Sequence, residues 1–232
     1  MRRFFRYVLI LVFAGTFTTR ASQAQSMTCN DDDRRVTTHD YVSNPGDVLQ
    51  TDHLELTRPF DAGGTLEIQV CEANLHVRTE RNGKEIKLTV ELHPQSGHGN
   101  LADYIQTLRI APNDGVIRLK FPKEAHAVVT LIMPMGPNST SKFNLGKGDL
   151  DFNAIGGSGT REINVGMGHM RLLLDNEKSY STMNVNVGMG SLHDHRPGGQ
   201  DGHFVVSRDY QGHGSGSLDI NVGMGSLDIR ND

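Results

Sequence analysis

The chain has 232 residues, a formal net charge of −4, 26 glycines, 6% aromatic residues and no tryptophan. That length fits one elongated domain or two small ones, and the glycine-rich, aromatic-poor mix suits a narrow core of stacked aliphatic side chains. An acidic surface repels phosphate backbones, which argues against nucleic acid as a partner.

The N-terminus reads as an export signal. Arg2, Arg3 and Arg6 precede an apolar run from Tyr7 to Phe17, and Ser22-Gln-Ala24 offers small residues at the two positions a signal peptidase reads. The run is about eleven residues, short of the roughly 20 needed to span a bilayer as a helix, so a retained anchor is the second reading. Cleavage after Ala24 removes Arg2, Arg3, Arg6 and Arg20 and takes the net charge from −4 to −8. No later stretch is apolar enough to span a membrane. Export implies a periplasmic, cell-envelope or extracellular location. There the even pair Cys29 and Cys71 suggests one disulfide, with two unpaired thiols as the alternative.

Residues 25–53 read as an N-terminal extension to a domain over 54–232, itself divided into a strand part (54–126) and a repeat array (127–232). In the strand part apolar residues alternate: Leu66, Ile68 and Val70; Leu75 and Val77; Ile86, Leu88, Val90 and Leu92; Ile117, Leu119 and Phe121. Alternation broken by Gly63-Gly64, Asn82-Gly83 and Asn113-Asp-Gly115 predicts strands joined by tight turns, Asn82-Gly83 being the sharpest hairpin signal. Pro94 to Asp103 reads as a polar loop with one helical turn near Leu101.

The array carries four copies of one phrase: Asn144-Leu-Gly146-Lys-Gly148, Asn164-Val-Gly166-Met-Gly168, Asn186-Val-Gly188-Met-Gly190 and Asn221-Val-Gly223-Met-Gly225. They begin 20, 22 and 35 residues apart. A period of twenty-odd residues is the signature of stacked coils. Apolar residues flank each Asn, so the Asn faces away from them. Beyond the second Gly the apolar positions change parity, which a regular strand cannot do, so Gly-x-Gly reads as a corner. The stacked Asn amides are expected either to bond one another as a ladder or to bond their own turns. Met167, Met189 and Met224 read as a packed column lining the corner, and Lys147 as the mark of an end coil with a wet outer side. The predicted fold is all-β, with strands and hairpins leading into a short right-handed β-solenoid of Gly-x-Gly coils.

The segments Phe60-Asp-Ala-Gly-Gly-Thr-Leu-Glu-Ile68, Asn74-Leu-His-Val77 and Val128-Val-Thr-Leu-Ile-Met-Pro134, followed by units such as Gly146-Lys-Gly-Asp-Leu-Asp-Phe152, resemble the bacterial putative-adhesin domain family. The resemblance covers roughly Leu54 to Ile229. It implies an exported β-solenoid-like domain with no agreed catalytic residues. Cys71-Glu-Ala-Asn74 departs from it, standing where a Gly-containing turn is typical.

Two groups could carry chemistry. The third gap is 13 residues longer than the second and holds His193, Asp194, His195, Asp201, His203, Asp209 and His213. His193, His195, His203 and His213 are the candidate metal ligands, although no fixed ligand spacing completes a set. Asp194 occupies a slot that is apolar in other coils, which predicts that the regular coil ends early there. Asp151 and Asp228, about three coils apart if coils stack in order, are the candidate carboxylates of a polysaccharide hydrolase or lyase, which needs two of them about 5–9.5 Å apart. The reading preferred over both is non-catalytic: no cofactor, and binding of a protein, a glycan or a second copy through exposed polar ladders.

Overall fold

The computed structural model describes residues 40–93, 99–122, 125–136, 138–154, 159–175 and 180–231. The export signal and Cys29 lie outside these residues. The strands are β1 (Asp40–Tyr41), β2 (Val48–Leu49), β3 (His53–Pro59), β4 (Thr65–Glu72), β5 (Asn74–Arg81), β6 (Glu85–His93), β7 (Ile105–Ala111), β8 (Asp114–Leu119), β9 (His126–Met135), β10 (Ser139–Lys147), β11 (Leu150–Ala154), β12 (Gly159–Leu174), β13 (Thr182–Asp194), β14 (Gly202–Gln211) and β15 (Ser217–Asn231). Among the described residues the protein is all-β, relieved by one 3-10 turn at Leu101–Tyr104 that Asn100 and Asp103 cap reciprocally.

The strands form two layers joined along a line of corners. The first layer runs β1-β7-β8-β4-β10-β12-β15-β13-β14 and the second β2-β3-β6-β9-β5-β11-β12-β15-β13. β12, β13 and β15 pass through both, bending at Gly-x-Gly. In β12 the buried set shifts from Arg161, Ile163 and Val165 to Met170, Leu172 and Leu174, the change of parity that turns both halves toward one core. Across that core Phe143 of β10 meets Phe152 of β11 edge to face at 4.9 Å. Strands from both expected parts of the domain share these layers, β4 pairing β10 in parallel register.

Glycine is required at the corners for two reasons. Gly148, Gly168, Gly190 and Gly225 have φ of +128°, +146°, +156° and +139°. A Cβ at Gly190 would also stand 1.5 Å from the Gly225 carbonyl oxygen, and one at Gly168 1.8 Å from that of Gly148. Positive φ and backbone-on-backbone approach leave no room for a side chain.

Several expectations are corrected. The copies lie side by side in parallel, but in the order Asn144, Asn164, Asn221, Asn186, so the last copy sits between the second and third. The long connection explains this: it forms β14, which lies antiparallel on the outer side of β13, and the chain then returns to place β15 on β13's inner side. A solenoid climbed one coil at a time does not describe this path. Lys147 is not at an end. It pairs in register with Glu72 of β4, and its Nζ donates to Glu72 Oε1 at 2.8 Å, so the lysine answers a neighbouring carboxylate. The departure at Cys71-Glu-Ala-Asn74 is thereby a corner of the same stack, with Ala73 beside Gly148. Asn82 takes φ +63° in a tight turn, yet β5 and β6 are not partners, because β9 lies between them. The early end expected at Asp194 is found: β13 stops there, in register with Ile229, whereas β12 and β15 stay paired two positions further, to Leu174 and Asn231.

Candidate functional site

Outward side chains on both layers fall into rows, because parallel in-register strands repeat each position at a spacing of about 4.8 Å. On the first layer the Asn side chains bond one another. Asn164 Nδ2 donates to Asn144 Oδ1 at 2.8 Å, Asn221 Nδ2 to Asn164 Oδ1 at 3.0 Å, and Asn186 Nδ2 to Asn221 Oδ1 at 3.1 Å. Ser207 of β14 closes the series with a 2.9 Å bond to Asn186 Oδ1. All donors point the same way along the row, so the ladder is a polarised chain of amides.

The outer face of the second layer carries the chemistry. Register aligns His76, Asp151, Arg171, Asp228 and His193 in one row across β5, β11, β12, β15 and β13. Asp151 is held from both sides: His76 Nδ1 lies 3.1 Å from Oδ2, and Arg171 Nη1 donates to Oδ1 at 3.0 Å. Asp228 is likewise clasped, with His169 Nε2 3.0 Å from Oδ2 and His195 Nε2 3.2 Å from Oδ1. Behind it, His169 Nδ1 lies 2.5 Å from Ser226 Oγ. A neutral ring donating from Nε2 to the carboxylate can accept the serine hydroxyl at Nδ1. His193 faces Asp201 at 3.7 Å, and its ring lies 6.4 Å from that of His195 and 6.0 Å from that of His203.

Three of the four predicted histidines, His193, His195 and His203, thus share one patch. His213 does not join it, lying past the opposite end of β14. Sequence reasoning missed His169 and Ser226, whose partners come from strands far away in the chain. No group of three His, Cys, Asp or Glu among the described residues is placed to hold a metal ion.

The carboxylates Asp151 and Asp228 stand only two strands apart, roughly 10 Å by sheet spacing, with Arg171 between them. The permuted stacking brings them closer than chain order predicts. Each carboxylate oxygen already meets one basic side chain, and Asp151 keeps 40% of its side chain exposed. Ser226, His169 and Asp228 have the residue types of a nucleophilic triad. The backbone at Ser226 and Asp228 is engaged in the ladder with β12 and β13, so it supplies no oxyanion donors. Over Asp151 and Arg171 lies a shallow open depression of about 160 Å³, also lined by His76, Arg78, Asn153 and Leu173.

Strand alternation that turns His193 and His195 outward turns Asp194 inward. Its side chain is fully buried and receives Arg196 Nε at 2.8 Å and Nη2 at 2.7 Å. Arg196 Nη1 donates to Tyr180 Oη at 2.7 Å, and the guanidinium lies 4.5 Å from the Tyr210 ring centre. Burial pushes the Asp194 carboxyl up, but the Arg196 hydrogen bonds and charge outweigh it and hold the group below its ordinary value. Burial, reinforced by the Asp194 charge, pushes the Tyr210 hydroxyl up to about 12. This latch fixes the segment that presents the histidines.

No protein-family model matches the chain, and no curated protein matches it. Solved structures do. A putative cell adhesion protein from Clostridium sporogenes is 14% identical, over 77% of this chain and 99% of that one, with a TM-score of 0.40. A putative adhesin from Parabacteroides distasonis is 12% identical over 76% and 69%, at 0.22. A putative adhesin from Bacteroides fragilis is 9% identical over 78% and 98%, at 0.23. The adhesin resemblance read from the sequence is matched by the names of these structures. No helix among the described residues is long and apolar enough to cross a membrane.

Proposed function

We propose that the protein is exported with loss of residues 1–24, is tied near its mature N-terminus by a Cys29–Cys71 disulfide, and acts without catalysis as an adhesin-like binding module. Its partner is an extended glycan or a protein surface, met by the outer face of the second layer. The observation that carries this reading is the row His76–Asp151–Arg171–Asp228–His193. It offers alternating donors and acceptors at strand spacing on a rigid sheet. Such a rack loses little conformational freedom on binding, so many modest contacts can sum to useful affinity. The depression above Asp151 and Arg171 is smaller than a pocket that encloses a drug-sized ligand, which suits surface contact with a polymer better than engulfment.

The test is a glycan array and a surface-protein overlay with the mature chain, alongside Arg171→Ala with His76→Ala. Binding that the double variant lowers at least tenfold, with the bound glycan recovered intact, supports the proposal. Cleavage of the glycan, or binding indifferent to both changes, overturns it.

A further inference from the structure

The methionines between the corner glycines are not packed inside. Met167, Met224 and Met189 are adjacent in register and 44%, 42% and 53% exposed. The row continues onto β14, where the ladder with β13 shifts between Val187 and Gly190 and leaves Val205 and Phe204 71% and 74% exposed. Of the seven large apolar residues exposed among the described residues, five lie in this one line. Scattered exposed apolar residues need no explanation, whereas a contiguous run of them marks an interaction surface.

Phe204 supplies a second observation. It has φ +78°, a left-handed backbone conformation that favours Gly or Asn and is an outlier for a bulky residue. Packing does not compensate, because the ring is exposed. A phenyl kept at a strained position and turned outward is accounted for by a partner that covers it.

We infer that this corner ridge is the contact between two copies of the chain, ridge against ridge about a two-fold axis. The ridge is bounded by the Lys147–Glu72 pair on one side and by β14 on the other; β14 pairs only β13 among the described strands. It carries no charge, so it is the line along which two acidic molecules, of net charge −4 as the full chain, approach with least repulsion. Methionine side chains adapt to one another, so a methionine column is self-complementary without a preformed groove. From the exposures above, the five side chains offer roughly 500 Å² per copy. Two copies would bury about 1,000 Å², the lower limit of a specific interface, so the association is weak and concentration-dependent. This inference does not rest on the proposed polar-face binding.

Sedimentation velocity from about 1 μM to about 500 μM reads it directly, with dimer forming at a Kd on the order of 10 μM. Raising salt from roughly 0.05 to 0.5 M should tighten the dimer several-fold, since screening relieves repulsion between acidic bodies while apolar contact persists. Met189→Lys with Met224→Lys should be monomeric throughout. Phe204→Gly keeps the fold, because glycine accepts the backbone there, and should weaken the dimer at least fivefold. Arg171→Ala should leave the dimer unchanged. A wild-type chain that stays monomeric at about 500 μM in high salt, or dimers that survive both ridge variants, overturns the inference. So does recruitment of the monomer to neutral phosphatidylcholine vesicles that the ridge variants abolish, for then a lipid surface and not a second copy is the occupant.

Discussion

The latch beneath the histidine patch gives the sharpest test of the energetics. Asp194 sits in a slot where the register partner is Ile229, and its carboxylate is tolerable because Arg196 meets it with two side-chain hydrogen bonds and one from its backbone N–H. Arg196→Met keeps the volume near Tyr180 and Tyr210 but removes the charge and both side-chain donors, leaving the carboxylate the backbone N–H of residue 196, and breaking one side of a buried pair costs about 3–5 kcal/mol. Protonation sets a ceiling on that loss. Neutralising a carboxyl of ordinary value near 4 at pH 7 costs about 4 kcal/mol, three pH steps at about 1.4 each. The variant should therefore be less stable by about 3–4 kcal/mol at pH 7, and by only about 1–2 kcal/mol at pH 5. The wild type behaves oppositely. Its Asp194 is held below the unfolded carboxyl value, so the stability from the pair is complete above that value and is lost as pH falls through the lower folded one. Asp194→Leu with Arg196→Met replaces the pair by apolar groups and should recover most of the loss, since a buried ion pair is often no better than a hydrophobic isostere. Urea unfolding of the three proteins at pH 5 and pH 7 measures all of this. A loss under about 1 kcal/mol in Arg196→Met at pH 7, or a double variant as unstable as the single, would refute the reasoning.

Other expectations follow from single positions. Gly190→Ala forces a Cβ against the Gly225 carbonyl at 1.5 Å and should prevent folding or cost more than about 3 kcal/mol. Gly46→Ala, with φ +98° and nothing within 4 Å, should cost only the backbone term of about 1–2 kcal/mol, as thermal melts of the two variants would show. Asn221→Ala removes one amide that both donates and accepts, so it should cost about 1–2 kcal/mol, while Asn144→Ala at the end of the donor chain should cost about half as much in chemical denaturation. Peptide mapping of the exported protein without reduction should show residues 29 and 71 cross-linked and an N-terminus at Gln25, and replacing both cysteines by alanine should lower stability by about 2–4 kcal/mol.

What could be read from the sequence was local. Period-two alternation predicts the strands from Leu54 to Met133, and the parity change across Gly-x-Gly predicts the corner, because both follow from where successive side chains point. Stacking order is another matter. Asn-Val-Gly-Met-Gly is identical at Asn164, Asn186 and Asn221, so any of the three can pair with any other at equal local cost, and only the length and content of the connections break the tie. The Asn82-Gly83 turn shows the same limit: its backbone conformation is local, whereas its strands' partner, β9, begins only at His126. The methionines were misplaced because a corner has no alternation from which to assign an inner and an outer face. The end of the strand at Asp194 is legible from its charge, whereas its burial is not, because that charge is answered two residues later by Arg196 only once the chain leaves the strand and folds back.

The permuted order has a consequence for the candidate site. Had the third and fourth copies stacked in chain order, β13 would lie against β12, and His193 would stand beside Arg171. With β15 between them, Asp228 is inserted between Arg171 and His193, and its carboxylate meets His169 from β12 and His195 from the end of β13. The same insertion pushes β13 outward, so that β14 can pair with it and carry His203 toward His193 and Phe204 toward Met189. One connection of unusual length thus assembles the histidine patch on the second layer and extends the apolar ridge along the corner. Both lie near the end of the stack that β14 closes among the described strands.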